Sequence, residues 1–126
     1  MASEMDAVRA VLAQLGDIAP ENQTWEERRT AYEAAGANMP MAENVSAENT
    51  ELGGLSGIKL TPSTVKPDRT LLYFHGGGYC IGSPIGHRAM VSHLCVAMQA
   101  TAYSMDYRMA PEAPFPAAVD LSLIHI

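Results

Sequence analysis

The stretch that decides the fold is Thr70-Leu-Leu-Tyr-Phe-His-Gly-Gly-Gly-Tyr79, in which an apolar run leads directly into a glycine triplet. The run Thr70–Phe74 is short and almost wholly apolar, which is typical of a strand buried on both faces of a sheet. In parallel sheets, ligands bind at the C-terminal ends of the strands. The stretch therefore predicts a sheet covered by helices, with a functional loop at His75–Tyr79.

The elements predicted on either side of this stretch alternate between strand and helix. Before it, the pair Gly53-Gly54 lies between two segments of alternating polarity and indicates a β-hairpin. After it, a proline-rich loop precedes Pro116, which is well placed as the first residue of a helix. The predicted elements are strands over 45–52, 55–60, 70–74 and 101–105 and helices over 87–98 and 116–119. This order predicts a mostly parallel α/β sheet.

Two further helices are predicted before the hairpin. Apolar residues recur at helical spacing over residues 5–15. Thr24 and Glu27 form a capping-box signature, so we predict a second helix that begins at Trp25 and ends at Gly36. Because they precede the predicted sheet, these two helices are interpreted as an appendage to it.

Composition and charge exclude several classes of partner. The chain has 126 residues, a net charge of −6 and no basic cluster, so we expect no nucleic acid and no anionic membrane surface as a partner. No apolar stretch approaches the roughly 20 residues that span a bilayer, and no signal peptide is predicted at the N-terminus. Cys80 and Cys95 lack a C-x-x-C spacing, which favours two free thiols over a disulfide, zinc site or redox motif. We therefore expect a cytoplasmic protein.

The glycine triplet could serve three purposes. It permits positive φ, so successive N–H groups can point into one concavity and hold an oxyanion as it forms. It could also be a tight turn without chemistry, or a phosphate-binding loop. No G-x-x-x-x-G-K-[ST] motif occurs, and in the G-x-G-x-x-G spacing Gly76 and Gly78 would place the third glycine at Ile81. The preceding strand and the flanking His75 and Tyr79 favour the oxyanion interpretation.

Three segments together resemble the hormone-sensitive-lipase-like, or GDXG lipolytic, family of esterases. They are His-Gly-Gly-Gly-Tyr-Cys-Ile-Gly-Ser at 75–83, Asp-Tyr-Arg-Met-Ala-Pro-Glu at 106–112 and Pro-Phe-Pro-Ala-Ala-Val-Asp at 114–120. The resemblance implies an α/β-hydrolase fold, with residues 45–120 as the N-terminal part of its core. It implies that residues 1–44 are N-terminal cap helices over the substrate pocket.

The resemblance assigns a role to each residue of the glycine loop. Gly77 and Gly78 would supply the backbone amides of the oxyanion hole. Gly76 would shape the loop, and His75 would hold it by a local hydrogen bond rather than act as the catalytic base. Tyr79 would line the substrate pocket.

The resemblance also assigns a role to two charged residues of the segment at 106–112. Asp106 and Arg108 would form a buried polar network under the active site. The family often has histidine where Ala113 stands here, at a position expected to be peripheral.

The catalytic serine of the family is not found in this chain. No G-x-S-x-G segment occurs, so the serine, the acid and the histidine would lie beyond residue 120, and we expect the chain to be the N-terminal part of a longer protein. Residues 121–126, Leu-Ser-Leu-Ile-His-Ile, are similar to one reading frame of a sequencing adapter. We interpret them as a non-native tail, with a genuine apolar segment as the alternative.

The implied activity is hydrolysis of a small-molecule carboxylic ester or lactone through a serine acyl-enzyme, without metal or cofactor. The chain alone is expected to be inactive. Plant gibberellin receptors share this fold and bind a small molecule without hydrolysing it, so a binding-only relative is the alternative. A third possibility is that the chain is a truncated product without enzymatic activity. The oligomeric state is not predicted.

Overall fold

The computed structural model describes residues 3–14 and 22–124 of the chain. The helices are α1 (Glu4–Gln14), α2 (Trp25–Ala37), α3 (Pro84–Met98) and α4 (Ala117–Ile124). The strands are β1 (Val45–Leu52), β2 (Leu55–Pro62), β3 (Thr70–Phe74) and β4 (Thr101–Met105). This order confirms the predicted alternation of elements, although residue 15, the predicted end of the first helix, lies outside the described residues.

The described strands form a mixed sheet in the order β1-β2-β4-β3. β1 and β2 form the predicted hairpin, and its turn residues Gly53 and Gly54 have positive φ values of 60° and 81°, as a type I′ turn requires. β2 is also antiparallel to β4, whereas β3 and β4 are parallel. The α/β class is confirmed. This part of the sheet is mixed rather than mostly parallel because the hairpin contributes two antiparallel pairs.

Strand β3 packs on both faces, as its apolar run predicted. Leu71 and Tyr73 face the core cluster that the sheet forms with α3, while Leu72 and Phe74 face a second cluster on the opposite side. The buried members of the first cluster are Leu60, Val91, Cys95 and Ala102, and those of the second are Leu55, Met105 and Tyr107. β3 is therefore fixed from both sides up to the residue at which the glycine loop begins.

Helix α2 begins at the predicted capping box. The Glu27 N–H donates to Thr24 Oγ1 at 3.2 Å, and the Thr24 N–H donates to a Glu27 carboxylate oxygen at 2.8 Å. The predicted end at Gly36 is wrong, because α2 continues to Ala37. Gly36 lies where α2 crosses α3, and a Cβ at this position would collide with the carbonyl oxygen of Gly86. The interpretation of residues 1–44 as a cap stays a prediction.

Helices α3 and α4 both differ from the predicted boundaries. α3 begins at Pro84 because the Ser83 hydroxyl caps it, accepting the N–H of Gly86 at 3.0 Å, and proline suits the first helical position. α4 begins at Ala117 rather than Pro116 and continues to Ile124. It thus includes four residues of the segment 121–126, whose interpretation as a tail stays a prediction; residues 125 and 126 lie outside the described part. None of the described helices is long and apolar enough to cross a membrane.

Candidate active site

The glycine loop after β3 lines a cleft of about 460 Å³. β3 and β4 pair in register from their first residues to their last, Phe74 opposite Met105, so the loops that follow them begin side by side. The cleft is lined by Phe74, His75, Gly76, Gly77, Gly78, Tyr79, Tyr107, Ala118 and Val119. The predicted functional loop therefore borders a cleft at the C-terminal end of a parallel strand.

The side chain of His75 fixes the first peptide group of the glycine triplet. Its Nδ1 atom lies 3.0 Å from the carbonyl oxygen of Gly76, and since a carbonyl only accepts, Nδ1 carries the proton. In a trans peptide the C=O and the following N–H point in opposite directions. The N–H of Gly77 is therefore directed away from the His75 ring.

Two backbone donors fix the next peptide group. The N–H groups of Cys80 and Ile81 both donate to the carbonyl oxygen of Gly77, each at 3.1 Å. By the same geometry, the N–H of Gly78 points away from the N–H groups of Cys80 and Ile81, and Gly78 itself lines the cleft.

Both amides are available as donors. Within residues 3–14 and 22–124, neither the Gly77 N–H nor the Gly78 N–H has a hydrogen-bond acceptor. The φ values are 127° at Gly77 and 61° at Gly78, in the region that favours glycine. Two adjacent free donors beside a cleft are able to stabilise negative charge as it develops on a bound carbonyl oxygen.

Several known proteins are similar to this chain in sequence and in fold. Residues 71–123 match the family model described as α/β hydrolase fold. The chain is 38% identical over 95 residues to an acetyl-hydrolase of Streptomyces hygroscopicus, covering 75% of this chain and 31% of that protein. It is 39% identical over 77 residues to versiconal hemiacetal acetate esterase of Emericella nidulans, covering 61% of this chain and 27% of that protein.

Among solved structures, a hormone-sensitive lipase from a metagenome library matches with a TM-score of 0.87 and 35% identity, over 98% of this chain and 41% of the other. The chain belongs to the hormone-sensitive-lipase-like α/β-hydrolases. The chain spans about a third of the acetyl-hydrolase (31%) and about two fifths of the metagenome lipase (41%).

The imidazole of His75 is buried and neutral. The residue is 2% exposed, and burial lowers the pKa of its imidazole below the usual value. Its ring stacks on Tyr107 at a centroid distance of 4.3 Å and on His87 at 5.6 Å. A neutral imidazole with the proton on Nδ1 suits the predicted structural role, because its Nδ1–H is then committed to the Gly76 carbonyl.

Tyr107 is a residue of the site that sequence analysis missed. Its hydroxyl donates to the carbonyl oxygen of His75 at 2.6 Å, and the residue is 6% exposed. The only signal in the sequence was its place between Asp106 and Arg108. Tyr107 thus holds the first residue of the glycine loop against the start of the neighbouring loop.

Replacing Tyr107 with phenylalanine is expected to lower the free energy of unfolding by about 1–3 kcal/mol, because the buried His75 carbonyl loses its donor. Urea unfolding of the chain measures this change. Tyr103→Phe is the matched control, since its hydroxyl has no hydrogen-bond partner in the part of the chain that the structure describes, and it should change stability little. Equal stability of the two variants would contradict the prediction.

Tyr79 lies at the rim of the cleft. Its side chain is 60% exposed and contributes both to the cleft and to an adjoining pocket of about 340 Å³ that also includes Phe115. Its φ of 61° is in the left-handed region, and its carbonyl oxygen accepts the N–H of Ala110 at 2.8 Å. Tyr79 therefore borders the cleft and the adjoining pocket, and its role in lining the substrate pocket stays a prediction.

The predicted burial of Asp106 and Arg108 is wrong for this chain. Both residues are exposed, and no ion pair or hydrogen bond joins their side chains among the described residues. From Met105, the last residue of β4, burial alternates along the chain, so that Met105 and Tyr107 are buried. The two charged residues take the outward positions of this alternation.

Proposed function

We propose that this chain supplies the oxyanion hole of a serine esterase that hydrolyses small carboxylic esters, with lactones as a related class. The observation that carries the proposal is the pair of free N–H donors at Gly77 and Gly78, beside a cleft at the end of a parallel strand. Two relatives are named an acetyl-hydrolase and an acetate esterase, which favours esters with a short acyl group. We propose a small-molecule ester as the partner.

The proposed reaction is acyl transfer. A serine attacks the ester carbonyl carbon, the carbonyl oxygen becomes an oxyanion, and the N–H groups of Gly77 and Gly78 stabilise it. The catalytic histidine accepts the proton of the attacking serine and passes it to the leaving alcohol as the intermediate collapses to the acyl-enzyme. Water then attacks the acyl-enzyme, giving one proton to the histidine, and the acid is released as the serine recovers that proton. Since no G-x-S-x-G segment occurs in residues 1–126, we propose that a further part of the enzyme provides the serine, its histidine and the acid.

The test joins residues 1–120 to the part of the metagenome hormone-sensitive lipase that follows the equivalent residue; we call this protein the joined enzyme. We expect it to hydrolyse p-nitrophenyl acetate and to be labelled stoichiometrically by a fluorophosphonate. The 126-residue chain alone should do neither, because an oxyanion hole without an activated nucleophile forms no acyl-enzyme. Mass spectrometry measures the label and absorbance measures hydrolysis.

The control is the joined enzyme with its nucleophilic serine replaced by alanine, which should lose both activities. A folded joined enzyme that does not hydrolyse the ester would contradict the proposal. Labelling of the 126-residue chain would show a nucleophile within it, and Ser56 and Ser83 would be the residues to examine.

We also propose a cytoplasmic location without a metal or cofactor. Both cysteines are free thiols, Cys80 half-buried and Cys95 buried in the core beside Leu60, which fits a reducing compartment.

A further inference from the structure

Arg29 of helix α2 contacts both loops that border the cleft. Its Nε donates to the carbonyl oxygen of Cys80 at 2.8 Å, and its Nη2 donates to that of Ala110 at 2.7 Å. The same guanidinium forms a bidentate ion pair with Glu112, at 2.9 and 2.8 Å. The hydrogen bond to Glu112 raises the pKa of Arg29, which stays charged. This planar group therefore holds two carbonyls and one carboxylate in fixed relative positions.

The bond to Cys80 begins a chain of hydrogen-bonded peptide groups that ends at Gly78. Because the Cys80 carbonyl is turned towards Arg29, the N–H of Ile81 in the same peptide group points the opposite way, and it donates to the Gly77 carbonyl at 3.1 Å. The Gly77 carbonyl shares its peptide group with the Gly78 N–H, which therefore points away from Ile81, and Gly78 lines the cleft. We call these two peptide groups the peptide relay.

Helix α2 is anchored to α3 independently of Arg29. The Tyr32 ring lies 5.8 Å from the His87 ring, and Arg88 Nη2 donates to the carbonyl oxygen of Ala37 at 3.2 Å. The Arg29 side chain therefore starts from a fixed backbone, and the glycine loop is held against it.

We propose that Arg29 is a positioning residue of the oxyanion hole, which directs the Gly78 N–H at the substrate carbonyl and polarises it through the peptide relay. This inference rests on the proposed function, because it assigns a role within the same site. Consecutive hydrogen bonds strengthen one another where the dielectric is low, and a cation at the start of the relay makes its last N–H a stronger donor. That donor matters most when the substrate oxygen is negative, so Arg29 acts on the transition state more than on the bound ester.

The kinetic test compares Arg29→Met and Arg29→Lys with Arg28→Met in the joined enzyme. Arg28 is the matched control because it is on the same helix and carries the same charge, with its guanidinium carbon 5.1 Å from the Trp25 ring centroid. We expect Arg29→Met to lower kcat by about tenfold with KM within about twofold, since a displaced donor impairs the transition state. Arg29→Lys should recover part of the loss, because it keeps the charge but not the planar fork. Arg28→Met should resemble the parent.

The second readout does not depend on catalysis. In the full 126-residue chain, hydrogen exchange of the Ile81 N–H, the middle donor of the peptide relay, should be about tenfold faster in Arg29→Met than in Arg28→Met. Equal kcat in Arg29→Met and Arg28→Met, a change confined to KM, or unchanged Ile81 exchange would each overturn the inference. If the parent joined enzyme hydrolyses no ester, the proposed function fails instead, and Ile81 exchange alone decides whether Arg29 holds the relay.

Discussion

Replacing Gly77 with valine in the joined enzyme is expected to lower turnover of p-nitrophenyl acetate by about 100-fold or more, a barrier rise of about 3 kcal/mol. The φ of 127° at Gly77 is unfavourable for any other residue, and a Cβ there would collide with the carbonyl group of Ile81. The loop must shift to relieve this collision, so the donors of Gly77 and Gly78 lose their direction. KM should change little, since these donors act on the oxyanion rather than on the bound ester.

Gly54→Ala is the control for this substitution. Gly54 also has a positive φ, 81°, but a Cβ there has no neighbour within 4 Å, and the residue belongs to the β1–β2 hairpin rather than the cleft. An alanine at this position has the energetic cost of the left-handed conformation but causes no collision. The Gly54→Ala enzyme should therefore lose some stability and keep the turnover of the parent. Steady-state kinetics and melting temperatures of both variants decide the matter. A folded Gly77→Val enzyme with the turnover of the parent would contradict the oxyanion assignment.

Replacing Gly36 with alanine is expected to lower the free energy of unfolding of the joined enzyme by about 2–3 kcal/mol. Helix propensity alone predicts the opposite sign, a gain of about 1 kcal/mol, because glycine is a poor residue for a helix interior. The structure reverses this expectation, since the added Cβ would collide with the backbone of Gly86 in α3. Urea unfolding gives both the sign and the size of the change.

Gly86→Ala provides a graded comparison on the other helix of the same crossing. A Cβ at Gly86 would lie 3.3 Å from the Cα of Glu33 and 3.5 Å from the Ser83 hydroxyl oxygen, which is tight but not a collision. Its cost should therefore be smaller than that of Gly36→Ala. If Gly36→Ala stabilises the protein, the close approach of α2 to α3 is not a feature of the fold.

Local sequence signals predicted the parts of this fold that depend on neighbouring residues. The turn at Gly53-Gly54, the capping box of Thr24 and the apolar strand β3 all follow from residues within a few positions of each other. The start of α3 had such a signal too, in Ser83 followed by Pro84, although the helix was predicted only from residue 87.

The remaining features depend on residues that are distant in the chain. In the sequence alone, Gly36 resembles the end of a helix, and its close approach to α3 is visible only in the structure. No residue near Arg29 indicates that its acceptors are the carbonyl groups of Cys80 and Ala110, which lie 51 and 81 residues further on. The hydroxyl of Tyr107 likewise reaches a carbonyl 32 residues away. Motif resemblance singled out the glycine loop, which does follow β3 and line a cleft, whereas the contacts that set the direction of its amides required the three-dimensional arrangement.

The contacts that hold the glycine loop do not involve the pocket residue Phe115, and this has a consequence for how the site can vary. The contacts that set the direction of the amides come from His75, Cys80, Ile81 and Arg29, of which His75 also lines the cleft. Phe115, which lines the adjoining pocket, is 85% exposed and is not among them. Under the proposed function, mutations at such a pocket position would alter which acyl or alcohol group fits while leaving the donors of Gly77 and Gly78 in place. The proposed substrate range could then drift, or be randomised in a library, while the Gly77 and Gly78 donors stay unchanged.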